Sequence, residues 1–242
     1  MNGTEAANTV AIVGSGVAGV TAAASLRKRG FTGNIWLFDR GAFAYDRPPL
    51  SKEFLTGAVG AGEIALYSPE WFAEHDIDFR PATDVTSIDR DSLAVVSADG
   101  SRFDADRVVW ALGGLAAKPT WPGGSSTRVH TVRTIEDAQE LRSHLRPASR
   151  VLVVGAGLLG SEIAISARSL GAEVTTADLD PAPLESVVGK RLALWLLEQN
   201  ASLGIKHVSA GIELLTEGSL DVTVRFTSGD EQSFDRVVVA TG

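Results

Sequence analysis

The stretch Thr9–Gly30, TVAIVGSGVAGVTAAASLRKRG, decides the fold. Its first five residues form a short apolar run that ends at a glycine. Such a run reads as a strand buried on both faces, the environment of a parallel sheet. VAGVTAAASLRKR (17–29) follows as a helix, with Val17, Val20, Ala24 and Leu26 expected on one side. Its basic end suits the negative pole of the helix dipole, and Gly30 stops it. IWLF (35–38) is a second strand, closing at Asp39. Strand, glycine turn, helix and strand make a βαβ unit.

The turn itself is Gly14-Ser15-Gly16-Val17-Ala18-Gly19. In a dinucleotide fingerprint the first glycine makes the tight bend, the second lets backbone approach a pyrophosphate, and the third lets helix pack on strand. The free N–H groups and positive pole of the helix then face the phosphates. Asp39, 25 residues after Gly14, stands where a carboxylate can accept hydrogen bonds from an adenosine ribose. A second fingerprint, Gly155-Ala156-Gly157-Leu158-Leu159-Gly160, has its acid, Asp178, 23 residues after Gly155. A carboxylate at the ribose repels the extra phosphate of NADP, so Asp178 favours NADH over NADPH.

The second half repeats the plan of the first. RVLVV (150–154) is a strand, LLGSEIAISARSL (158–170) a helix ended by Gly171, and VTTA (174–177) a strand. Leu159, Ile163, Ala167 and Leu170 fall on one side of that helix, and a further helix is expected over roughly 187–203. Each half closes on a hairpin and a final strand. The hairpins turn at Asp99-Gly100 and Ser228-Gly229-Asp230, and the strands share letters, DRVVWALGG (106–114) against DRVVVATG (235–242). A repeat of this length marks two similar domains. The expected class is α/β with two Rossmann-like domains, over 1–118 and 119–242, joined through the irregular KPTWPGGSST (118–127).

Composition narrows the chemistry. Formal net charge is −8 over 242 residues, so no broad basic face exists for nucleic acid. There is no cysteine, which removes thiol redox chemistry and Cys-ligated clusters from these residues. His75, His130, His144 and His207 lie far apart in sequence without ligand spacing, each reads as an ordinary surface or half-buried histidine, and no metal site is expected. Met1 to Asn8 is polar and lacks a basic lead into an apolar run, so no signal peptide is expected. No apolar run is long enough to span a bilayer, and the cytoplasm is the default.

One stretch has no place in this scheme: Tyr45-Asp46-Arg47-Pro48-Pro49-Leu50-Ser51-Lys52. Two prolines stiffen the approach, and Ser51 is expected to N-cap a short helix from Lys52. A lysine at that pole of a helix is ill placed for the dipole. It is either solvated or held by an anionic partner or an electron-rich cofactor. Further on, Ser68-Pro69-Glu70 reads as an N-cap and first turn. Thr134 and Asp137 form a capping box.

YDRPPLSKEFL, the first fingerprint, VRTIEDA (132–138) and GAGLLGSEIA (155–164) together resemble the FAD-dependent ferredoxin reductase family. Those proteins are the NADH-oxidising components of Rieske oxygenase and bacterial cytochrome monooxygenase systems, similar in fold to glutathione reductase. The resemblance implies that Ala18 and Asp39 contact the adenosine-diphosphate half of FAD, with Gly14, Gly16 and Gly19 beneath it. It implies Lys52 beside the isoalloxazine ring, paired with Glu162, and it assigns Val85 to the adenine side and Arg133 to a cofactor hydrogen bond. Gly155, Gly157, Gly160 and Asp178 take NADH. A small iron–sulfur ferredoxin is the implied electron acceptor.

Two departures stand against this. Where the family has ATG-G-R-P-R, this chain reads Ala111-Leu112-Gly113-Gly114-Leu115, losing a hydroxyl and an arginine. Family members also continue past the equivalent of Gly242 to complete the first domain. That domain is therefore expected to be incomplete, leaving an apolar edge on which another chain could dock. Two other readings stay open: a cysteine-independent NADH oxidase of the same fold, and a nucleotide-binding remnant unable to retain FAD.

Overall fold

The computed structural model describes residues 8–241. The targeting expectation for the first seven residues, and Gly242 of the last shared motif, lie outside them. The chain divides into two compact units. One holds the stretch up to Asp46 together with Ala61–Gly114; the other holds Arg47–Gly60 and the stretch from Leu115 on. The units meet in sequence at 114/115, where a boundary near 118 is expected, and the 47–60 segment, inside the expected first domain, packs with the second unit.

In the first unit, β1 (Thr9–Val13) leads through the glycine turn into α1 (Val17–Lys28) and β2 (Asn34–Phe38). The 3-10 turn Pro48–Ser51 and α2 (Glu53–Thr56) belong to the second unit. The chain returns through α3 (Pro69–Glu74) and β3 (Ile77–Arg80). Then come β4 (Val85–Asp89), β5 (Ala94–Ser97), β6 (Arg102–Asp104) and β7 (Arg107–Trp110). β3-β2-β1-β7 form a parallel sheet, and β4-β5-β6 an antiparallel one. The alternation of β1 explains its unbroken apolar run. Val10 and Ile12 join a cluster with Val20 and Ala23 of α1, while Ala11 and Val13 join Phe38 and Val95 on the opposite face. Within α1 the buried residues are Gly19, Val20 and Ala23, whereas Val17 is exposed at the first turn. Position 17 is the helix start, which faces the glycine turn rather than the sheet.

The second unit continues with β8 (Val129–His130), α4 (Ile135–His144), β9 (Arg150–Val154), α5 (Leu158–Ser169) and β10 (Glu173–Asp178). α6 (Glu185–Val188) and α7 (Lys190–Ser202) replace the single helix expected over 187–203. Gly189, at φ +78°, breaks them; that backbone conformation is left-handed and cannot continue a helix. β11 (Lys206–Ser209), β12 (Ile212–Glu217), β13 (Val222–Phe226), β14 (Glu231–Phe234) and β15 (Arg236–Val239) complete the unit. Its parallel sheet runs β11-β10-β9-β15-β8, with β12-β13-β14 as a second sheet. Leu152 and Val154 bury one face of the parallel sheet against Leu215, Val224 and Phe226 of the antiparallel sheet, while α5 packs on β9 and β10. Leu159 is more than a third exposed at the start of α5, so Ile163, Ala164 and Ala167 carry the buried face.

Candidate functional site

Each parallel sheet changes direction beside the strand that leads into its glycine turn. β1 has β2 on one side and β7 on the other, and β9 has β10 and β15. Such a switch point, at the carboxyl ends of the strands, is where open α/β sheets bind ligands. The glycine turns sit there. Gly14 adopts φ +105°, and a Cβ on it would lie 2.3 Å from the Ala111 carbonyl oxygen. Gly155, at φ +96°, would meet Ala240 at 2.9 Å. Cβ atoms on Gly19 and Gly160 would stand 1.8 Å from the carbonyl oxygens of Gly14 and Gly155. These four glycines are required by the chain's own packing.

Gly16 and Gly157 differ. They cap α1 and α5 at φ −66° and −71°, values any residue adopts, and a Cβ on either would meet nothing within 4 Å among the described residues. Each faces open space at the positive end of a 12-residue helix, the setting in which a diphosphate docks on backbone N–H groups. The residues present therefore fit a dinucleotide in each unit. Ala18 is exposed two residues after Gly16, in the first turn of the same helix.

The acids brace these turns. Asp39 Oδ2 accepts hydrogen bonds from the Ser15 N–H at 2.6 Å and hydroxyl at 2.8 Å, and Oδ1 accepts from Gly41 N–H at 2.7 Å. Asp178 Oδ2 accepts from Ala156 N–H at 2.5 Å and Oδ1 from Asp180 N–H at 3.1 Å. Both carboxylates are half-buried. The sequence suggests ribose as their partner; in the structure they hold the bend of the turn, through the parallel pairing of β1 with β2 and of β9 with β10. Ser15, buried, was missed. Ala156 replaces its hydroxyl in the second unit, so Asp178 accepts one hydrogen bond fewer than Asp39.

Lys52 and Glu162 meet within the second unit, Nζ to Oε1 at 3.5 Å, each side chain more than a third exposed. Ser51 does not cap a helix. The turn before it is 3-10, Lys52 occupies the N-cap of the one-turn α2, and no side chain caps there. With so short a helix the dipole argument about Lys52 loses its force. The Ser51 hydroxyl instead donates to Glu162 Oε2 at 2.5 Å. Phe54 and Leu55 bury α2, and Gly57, at φ +80°, ends it against the Arg142 guanidinium.

Val85 opens β4 in the first unit, half-buried and packed against the cluster around Phe38. Arg133 precedes α4, and its N–H donates to Asp137 Oδ2 at 2.9 Å. Thr134 and Asp137 close the expected capping box, and Ser68 caps α3 through the Trp71 N–H. Leu112 and Leu115, at the departure from the family pattern, are exposed.

The histidines require a correction. His130 and His144 are in contact, ring centroids 5.3 Å apart, and His130 is buried rather than half-exposed. β8 and the end of α4 bring them together. Arg236 Nη2 lies 2.8 Å from His144 Nδ1. Burial, then the charges of His144 and Arg236, push the His130 imidazolium down to about 4. Among the described residues no group of three or more His, Asp or Glu could hold a metal ion, and no helix is long and apolar enough to cross a membrane.

Two cradles of this kind in tandem define a two-dinucleotide oxidoreductase fold. A family model described as pyridine nucleotide-disulphide oxidoreductase matches residues 8–242, and the chain belongs to that family. It is 36% identical over 243 residues to the ferredoxin–NAD(+) reductase subunit of the benzene 1,2-dioxygenase system of Pseudomonas putida, covering 98% of this chain and 58% of that protein. Putidaredoxin reductase from the same species is 33% identical. The solved covalent complex of putidaredoxin reductase with putidaredoxin superposes with a TM-score of 0.89 at 30% identity, over 97% of this chain and 58% of that one. A ferredoxin reductase from Rhodopseudomonas palustris gives 0.91 at 28% identity. The chain thus spans somewhat over half the length of these relatives. It has no cysteine, so the disulphide of the family's name has no counterpart in these 242 residues.

Proposed function

We propose that the chain binds FAD in its first unit and NADH in its second, and serves electron transfer from NADH through FAD to a [2Fe–2S] ferredoxin. The observation that carries this reading is the pair of open positions at Gly16 and Gly157, each at a helix start beside a turn braced by a carboxylate. The names of the relatives, reductases of ferredoxins in oxygenase systems, support the choice of acceptor. FAD, when bound, supplies the step from a two-electron hydride donor to a one-electron acceptor. The chain's part is to bind and orient. The α1 and α5 N-termini hold diphosphates, and Asp39 and Asp178 keep the turns in shape while leaving lone pairs for ribose hydroxyls. Lys52 and Glu162 supply a charge pair that tunes the flavin's electronics. We place the reaction in the cytoplasm, where NADH is produced.

The test is reconstitution of the purified chain with FAD. Stoichiometric flavin absorbance that bleaches with NADH faster than with NADPH is expected, with reduced ferredoxin formed when that acceptor is added. A chain that stays colourless after reconstitution sinks the flavin half of the reading, and one that bleaches in air without reducing ferredoxin is an oxidase.

A further inference from the structure

The geometry points to Ser51 as a positioning residue that holds the Glu162 carboxylate for Lys52. This rests on the reading of Lys52 and Glu162 given above. Alone, that pair has no means of keeping one arrangement. An ion pair at 3.5 Å between side chains 38% and 37% exposed is screened by water and loses side-chain entropy to form. Ser51 is different, being only 3% exposed. A buried hydroxyl must find a partner. It has one proton, and the two acceptors in reach are Glu162 Oε2 at 2.5 Å and the Pro48 carbonyl at 3.4 Å. The charged and nearer oxygen takes the proton, since hydrogen bonds to carboxylates are the shorter and stronger kind. One oxygen of Glu162 is thereby tied down, and the other is left toward the Lys52 ammonium.

Ser51 is itself held. The Ser166 hydroxyl, also buried, donates to the Ser51 carbonyl at 2.7 Å. Glu162 and Ser166 are four residues apart on α5, hence neighbours on one helix face. That face therefore grips the 48–51 turn twice, once through its backbone and once through its side chain. Pro48 and Pro49 stiffen the same turn. The result is a rigid seat for an otherwise mobile glutamate.

Two measurements test this on the full chain. The first needs no flavin: thermal unfolding of the wild type, Ser51→Ala, Glu162→Ala and the double variant. The double variant should melt clearly higher than the sum of the single losses allows, as residues joined by one bond require. Additive losses overturn the inference whatever the kinetics show. The second is stopped-flow reduction of the FAD-loaded chain by NADH. Ser51→Ala should lower the limiting rate on the order of tenfold, the cost of a misplaced group, with NADH half-saturation unchanged. Ser51→Cys, which keeps the volume but donates weakly, should resemble Ser51→Ala; Ser51→Thr should restore most of the rate. A Cys variant as fast as wild type would mean that Ser51 only fills space. If Glu162→Ala is slow while Ser51→Ala is not, the inference fails and the reading of the pair stands. If Glu162→Ala is reduced at the wild-type rate, the reading of the pair fails and the positioning role falls with it.

Discussion

Glycine 157 and glycine 160 stand three residues apart in one turn, yet their hydrogens face different things. A Cβ at Gly160 would press to 1.8 Å on the Gly155 carbonyl, whereas one at Gly157 meets only open space. Gly160→Ala should therefore cost several kcal/mol of stability, about 3 or more by comparison with other backbone overpacking. Gly157→Ala should melt as the wild type does and yet lose affinity for NADH, its methyl standing where a diphosphate approaches. Calorimetric titration with NAD(+) beside a thermal melt separates the two, and a Gly157→Ala chain with intact affinity would remove the second cradle. Asp178 belongs with them. In the proposed reading its carboxylate repels a 2′-phosphate, and in the structure it braces Ala156 N–H. Asp178→Ala should weaken NADH binding and narrow the preference over NADPH, read as the ratio of the two dissociation constants; an unaltered ratio would give selection to another group. The glycines and acids were legible in the sequence because their spacing is dictated by the turn. The bracing bonds were not, since they depend on which N–H each carboxylate meets across the sheet.

Elements were legible where their signals are local. The strand of residues 9–13, the capped starts at Ser68 and Thr134 and both hairpin turns stand where the sequence put them. α6 and α7 read as one helix because Gly189 sits between Val187-Val188 and Lys190-Arg191, residues that a helix accepts, and one glycine does not by itself announce its positive φ. Ser51 was misread for a related reason. Serine before a short helix is an ordinary cap, but here its hydroxyl has a carboxylate 111 residues away. The clue available was the spacing of Glu162 and Ser166, one polar pair on the face of a helix whose neighbours are apolar. At Thr134 the box is complete. Thr134 Oγ1 accepts from Asp137 N–H at 3.2 Å, and Asp137 Oδ2 accepts from Thr134 N–H at 2.9 Å. Thr134→Ala should lower stability by about 1 kcal/mol, the usual worth of an N-cap. Chemical denaturation checks this, and a Thr134→Ser chain should stay near the wild type.

At the scale of the molecule the same βαβ plan is laid down twice, and both copies place their cradle at a switch point. What the duplication does not repeat is the buried basic corner of the second unit. Arg128 and Arg236 flank the β8–β15 pairing, and α4 lays His144, Glu140 and Asp137 toward it. His130 is the most buried group there; its Nε2 has no hydrogen-bond partner among the described residues, and its Nδ1 lies 3.8 Å from Glu140 Oε1, beyond a hydrogen bond. The folded chain keeps this imidazole neutral down to about 4, whereas the unfolded chain takes up the proton near its ordinary value of 6.5. Between those pH values the unfolded state binds more protons, so stability falls as pH drops through that window and levels off below it. Fully expressed, that is about 3 kcal/mol, an upper figure for a group of this burial. His144, lowered by its own burial and by Arg236, adds to the same slope. The lowered carboxylates, Asp89 hydrogen-bonded by Ser92 and Arg102 at about 2 among them, lose their contribution only at lower pH. The acid limb of the melting curve between pH 6.5 and 4 is therefore set by histidine. His130→Phe, which keeps a ring and removes the titration, should flatten most of that limb while leaving the pH 8 melting temperature near the wild type. An unchanged slope in that variant would move the acid sensitivity elsewhere in the chain.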